Sequence, residues 1–150
     1  MHKLSQLVEH WLAGGKSPYP AAQEQEIRQL FLSLGSTATQ DVVNLYARIG
    51  GMDFMDEAHF RLWPLAEISS ENSSNATTNG ILFADYLISC WGYLLLPVSE
   101  AKSAVYVEYF DGQPPVRVAD SLEEFSIAYF ARPNDVLHNP PELSRTSRQS

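Results

Sequence analysis

Cysteine is almost missing from this chain: of 150 residues only Cys90 carries a thiol, so no internal disulfide can brace the fold. Bases are also scarce, with ten Lys and Arg against eighteen Asp and Glu and a net charge of −8, which argues against a nucleic-acid surface. Long hydrophobic runs are lacking as well. The richest stretch, from Asn79 to Pro97, is broken by Asp85 and Ser89 and is too short to cross a membrane. The opening residues MHKLSQLVEHWLAGG carry a polar side chain at every second or third position, unlike a signal peptide or a membrane span, and a cytoplasmic protein is expected. Several chemical signatures are missing too: no nucleophile elbow, phosphate-binding glycine loop, paired zinc histidines or Cys-x-x-Cys pair occurs. No enzymatic activity, catalytic residue, cofactor or metal is therefore expected.

What is present describes one domain. A content of 45% hydrophobic and 11% aromatic residues suffices for a single core, with the polar stretch 139–150 expected to be a loosely held tail. Leu4, Leu7, Val8 and Trp11 recur at helical spacing and predict a helix over about Lys3 to Ala13, ended by Gly14 and Gly15. Ile27, Leu30, Phe31 and Leu34 predict a second over about Ala21 to Leu34, with Glu24 and Glu26 complementing its dipole. Thr39 is the expected N-cap of a third, whose apolar stripe runs through Val42, Leu45, Tyr46 and Ile49 to Gly50 and Gly51.

Strands follow the helices. Phe60–Leu62 alternates and is stopped by Pro64, while Ile81–Ala84 and Cys90–Leu96 predict a hairpin joined through Asp85–Ser89. The second arm is apolar on both faces, as a central strand must be. Cys90 is expected to be a small buried hydrophobe and Asp85 a turn residue satisfying its own backbone. Ala104–Phe110 and a short strand near Pro115–Ala119 make a further hairpin around Asp111-Gly112. Ser121 and Glu124 form a capping box that opens a closing helix over about Leu122 to Phe130. Between these, Ser69 to Asn79 holds nothing apolar larger than Ala76 and is expected to be a solvated loop. The fold class is thus α+β: helices first, an antiparallel-dominated sheet of four to six strands, and a C-terminal helix.

Charge is unevenly placed. Asp53 to Glu124 holds twelve acids against three bases, a net of −9, while the remainder is +1. Asp53, Asp56, Glu57 and His59 form the most metal-like cluster, but their spacing fits neither a calcium loop nor a zinc helix, and turn and capping roles are expected instead. The aromatics Trp63, Trp91, Tyr93, Tyr106 and Tyr109 are expected to pack the core, the alternative being a ligand-binding concavity of the sheet.

Gly50-Gly51 closing a helix, Leu62-Trp63-Pro64-Leu65, Phe83-Ala84-Asp85-Tyr86 followed by Trp91 and Tyr93, and Ser121 to Phe125 opening the last helix together resemble the SUKH superfamily over about Thr39 to Tyr129. That group includes the yeast regulator of cell-wall synthesis and killer-toxin resistance and many bacterial immunity proteins. The chain departs from it at Ile49, where many members carry Asn before the glycines. The resemblance implies a non-catalytic α+β domain that binds and neutralises a cognate toxin, often a nuclease. The alternative is a regulatory or scaffold domain binding a cellular protein or small ligand. A basic protein partner is expected, with Asp53, Asp56, Glu57, Glu108 and Asp111 as candidate partner-binding residues, and neither nucleic acid nor membrane.

Overall fold

A computed structural model describes residues 2–14, 18–73 and 80–137. Three helices come first, α1 (His2–Ala13), α2 (Glu24–Ser33) and α3 (Gln40–Tyr46). Strand β1 (Phe60–Leu62) and helix α4 (Leu65–Ser73) follow, then β2 (Ile81–Tyr86), β3 (Trp91–Pro97), β4 (Ser103–Glu108) and β5 (Val116–Ala119). Helices α5 (Leu122–Ala131) and α6 (Pro133–Val136) close the described chain. The sheet is an antiparallel meander of five strands in the order β1-β2-β3-β4-β5, so the fold is α+β with β3 at its centre, as its two-sided apolar pattern requires. Among the described residues no helix is long and apolar enough to cross a membrane.

Aromatic rings join α1 and α5 to the sheet. Trp11 of α1 stacks on Phe60 of β1 at 5.5 Å between centroids, and Phe60 meets Tyr93 of β3 at 5.2 Å and Phe125 of α5 at 5.6 Å. Tyr93 is fully buried and its hydroxyl donates to the Val136 carbonyl at 2.6 Å, so burial raises its pKa without leaving a polar atom stranded. Trp91 is only half-buried; it stacks on Tyr86 at 4.4 Å and sits toward the end of the sheet. The N-terminus of α1 is capped from a distance: the Glu123 carboxylate accepts from Lys3 N at 2.9 Å and Leu4 N at 3.0 Å. Partial burial would raise the pKa of Glu123, but these two N–H groups, together with the positive charge of the amino terminus, outweigh it and hold the carboxyl below its usual range.

Several expectations are corrected. Helix α2 starts at Glu24 and not Ala21, because the preceding backbone is already used: Tyr19 N donates to Gly51 O, Gly50 N to Tyr19 O and Ala22 N to Tyr46 O, at 2.9, 3.0 and 2.9 Å. Thr39 occupies the N-cap position of α3, yet its hydroxyl does not cap. It donates to Asp41 Oδ1 at 2.6 Å and pairs with Ser103 Oγ at 2.7 Å. Asp85 lies inside β2, 5% exposed, accepting from the Trp63 indole at 2.8 Å, and is no turn residue. Cys90 is exposed, since β3 starts one residue later and the hairpin turn occupies Leu87–Cys90.

The polar stretch from Ser69 begins as helix and not as loop. Helix α4 runs to Ser73, and the remainder up to Asn79, like the tail 139–150, lies outside the described residues. The reason is Asn72, which is buried. Its Nδ2 donates to Ile68 O and Leu82 O at 2.8 and 2.9 Å, and its Oδ1 accepts from Leu82 N at 3.0 Å, completing the backbone pairing of β2 beyond the end of β1. Asn72→Ala should therefore cost about 1–3 kcal/mol, the range for stranding buried polar groups, while exposed Ser73→Ala should stay within about 0.5 kcal/mol. Urea denaturation midpoints check this, and equal shifts for the two variants would contradict the pairing.

Candidate protein-docking surface

Strand register decides which loops share an end of the sheet. Phe60 pairs with Tyr86, Tyr86 with Trp91, and Gly92 with Glu108. The loop before β1 (53–59), the β2–β3 turn (87–90) and the segment after β4 (109–115) therefore emerge together. These segments hold Asp53, Asp56, Glu57 and Asp111 and no Lys or Arg, with Glu108 at their base. Among the described residues, all five non-glycine positions with positive φ fall here: His59, Leu87, Ile88, Ser89 and Phe110. Such backbone is costly and gathers where function requires a held geometry.

Apolar side chains stand in the middle of this acidic end. Ile88 is 77% exposed, Phe110 54% and Leu87 41%. Phe110 is bent back toward the sheet by its left-handed backbone and by Gly92: a Cβ at Gly92 would lie 2.8 Å from Leu82 Cδ2 and 3.1 Å from Phe110 Cζ. Glu108 Oε2 accepts from Phe110 N at 2.8 Å and holds that bend. The turn itself is tied down by Leu87 N donating to His59 O at 2.8 Å and Cys90 N to Tyr86 O at 2.9 Å. An apolar centre within an acidic rim is the composition of a protein-docking surface.

The five candidate acids separate into two kinds. Asp53, Glu57 and Asp111 are exposed, and Glu108 is partly so; the structure brings them to one end. Asp56 does not join them at the surface. It is 7% exposed, because one carboxylate oxygen accepts from the Trp11 indole at 2.9 Å and from the Tyr129 hydroxyl, and the other from Ala58 N and Phe60 N at 2.9 and 3.1 Å. Burial, and then the Asp56 charge beside it, push the Tyr129 hydroxyl well above its usual pKa. Asp56 is thus a staple for the fold and not a partner-facing residue.

The cluster read as metal-like is rearranged. Asp53 and His59 do not join it; His10 of α1 does, its Nε2 hydrogen-bonding Glu57, with potential ligand atoms of His10, Asp56 and Glu57 within 4.8 Å of one another. Four donors already occupy the Asp56 oxygens, which leaves one imidazole and one carboxylate, too few for a closed cation site. The aromatics divide as well. Trp63 and Tyr93 are core residues whose polar atoms bond Asp85 and Val136, while Trp91, Tyr106 and Tyr109 are half-buried.

Sequence reasoning passed over Leu87, Ile88 and Phe110. The signal was a hairpin turn, Leu87–Cys90, without Gly, Asn or Asp, where turn chemistry asks for them. A second concavity was also missed: a cleft of about 450 Å³ among α3, the β3–β4 connection and the start of α5, lined by Gln40, Asn44, Lys102 and Glu124, with Asp41 in its wall. Asp41 is 2% exposed and takes the Thr39 hydroxyl together with Ser103 N and Leu122 N, both at 3.3 Å, so it ties three elements together.

Among known proteins, no family model matches this chain and no curated sequence matches it significantly.

Replacing Asp56 tests the division between staple and rim. Asp56→Ala leaves an indole N–H, a hydroxyl and two backbone N–H groups without their acceptor and should destabilise by about 3 kcal/mol or more. Asp53→Ala should change stability by less than about 0.5 kcal/mol. Thermal and chemical denaturation of the two variants would show comparable losses if Asp56 were a surface acid.

Proposed function

We propose that this protein acts by stoichiometric binding, without turnover, as an immunity-type protein that neutralises a basic toxin, a nuclease being the class whose chemistry suits it best. The observation that carries the reading is the acidic end of the sheet with its exposed apolar centre. A toxin that acts on nucleic acid needs a positive cleft, and an acidic partner raises the association rate by attraction before contact. The likeness to the SUKH superfamily in Gly50-Gly51, Leu62-Trp63-Pro64-Leu65 and Phe83-Ala84-Asp85-Tyr86 supplies the scaffold for this reading, while the class of partner is argued from the rim. The engagement of the buried acids Asp41, Asp56 and Asp85 also supports the reading, each being held by N–H or O–H donors and placed to organise backbone instead of chemistry. A compartment shared with such a toxin's target is the cytoplasm, and that localisation belongs to the same proposal.

A regulatory or scaffold domain holding a small ligand is the second reading. What favours it is the cleft of about 450 Å³ beside Asp41, a volume suited to a small molecule.

Co-expression with the product of the adjacent gene, where that product is toxic, should rescue growth. Reversing the rim charges in the triple variant Asp53→Lys, Glu57→Lys, Asp111→Lys should slow association at low salt by about 10-fold or more and flatten its salt dependence. Rescue by the reversed variant equal to the parent at every ionic strength would reject steering. Failure of the purified proteins to associate at all would reject the toxin reading and favour the scaffold.

A further inference from the structure

The rim explains how a basic partner would be attracted; it does not explain what would hold it. We propose that the β2–β3 turn is the plug of the interface: Leu87 and Ile88, flanked by Phe110, seat in an apolar socket on a basic protein. The inference rests on the binding reading above and goes beyond it in assigning the residence time of the complex to apolar residues that the charge argument leaves out.

Three features of the turn point to this role. Leu87, Ile88 and Ser89 take φ of +49°, +54° and +63°, a run of left-handed backbone that L-residues rarely adopt and that is least tolerable for β-branched Ile88. A glycine, asparagine or aspartate would relieve the turn, yet Ile88, the most exposed large aliphatic among the described residues, stands there. The turn is also fixed before any partner arrives. Leu87 N is bonded to His59 O, Cys90 N to Tyr86 O, and the stacked rings of Tyr86 and Trp91 stand at its base with planes 3° apart. A side chain presented on prearranged backbone loses little freedom on docking, which is the property that distinguishes a central anchor from a peripheral contact.

Charge selects the occupant. A second copy of this chain docked tip to tip would set one acidic rim against another, and an anionic bilayer would meet the same repulsion from Asp53, Glu57 and Asp111. A protein with Lys and Arg around an apolar recess complements both parts of the surface.

The variants Ile88→Gly and Leu87→Ser test the plug, with the purified adjacent-gene product as probe and surface binding kinetics as readout. Glycine accepts φ of +54° without strain, so Ile88→Gly should fold at least as stably as the parent, and any loss of binding cannot be laid to unfolding. Dissociation should accelerate by about 30-fold or more while association changes by less than about threefold, the reverse of what rim-charge reversal does. Unchanged dissociation in both variants, with a parent that binds, would overturn the plug and leave the binding reading intact. A parent that does not bind the adjacent-gene product overturns both. Two other results would also overturn it: a parent dimer in sedimentation that Ile88→Gly dissociates, and Ile88-dependent sedimentation with phosphatidylglycerol vesicles. They would give the tip to a second copy and to lipid respectively.

Discussion

Asp56 brings a charge out of water at the junction of α1, α5 and β1, and the arrangement holds because four donors meet it there. A buried carboxylate costs several kcal/mol unless its lone pairs are occupied, so it dictates where those donors must stand. Trp11 fixes the end of α1, Tyr129 the outer turn of α5, and the Ala58 and Phe60 amides the path of the loop entering β1. The stacked pair Trp11 and Phe60, with Phe125 tilted against it, packs beside it. With Asp56 in place the loop is closed over the core, and its neighbours Asp53 and Glu57 are left on the surface, Glu57 paired with His10 of α1.

The same economy recurs at the other buried acids. Asp41 joins α3, β4 and the start of α5, and Asp85 joins β2 to the Trp63 segment while Arg61 stands 3.9 Å away, bridging to Glu67. Acidic residues in this chain thus do two kinds of work that composition alone cannot separate. Those inside organise backbone amides and indole donors; those outside set the field that a partner would meet. The surface at the end of the sheet combines the second kind with apolar residues on constrained backbone, so on the proposed reading long-range attraction and short-range packing would come from different side chains.

Much of the fold was legible because periodicity is a direct consequence of burial. The stripe Leu4, Leu7, Val8, Trp11 and the two-sided apolar strand through Tyr93 and Leu95 locate α1 and β3 without any knowledge of their partners. What escaped notice depended on partners distant in sequence. Asn72 is helical and buried because Leu82 needs its carboxamide, and nothing in SSENS announces that. Asp85 followed by Tyr-Leu-Ile-Ser read as a turn since aspartate commonly turns a chain, yet Trp63, twenty-two positions earlier, keeps it in the strand. The site was half visible: the rim acids were legible as charge, but Asp56 could not be told from them, and Leu87 and Ile88, placed in the connection Asp85–Ser89, carried no sign in sequence of the left-handed backbone that exposes them.

The pair Gly50-Gly51 carries a consequence for how likenesses to this chain should be weighed. A Cβ at Gly50 would sit 1.9 Å from the Pro20 carbonyl oxygen, and one at Gly51, whose φ is +131°, would sit 2.5 Å from the Pro64 backbone. Both glycines are pinched against backbone, Gly50 on Pro20 and Gly51 on Pro64, so any side chain there would force the N-terminal segment and Pro64 apart whatever the protein bound. Two chains could share these glycines and the Trp63-Pro64 step and still face unrelated partners, since every surface loop is free to change around them. A signature built on such positions dates the scaffold; the identity of the partner has to be read from the turn and the rim.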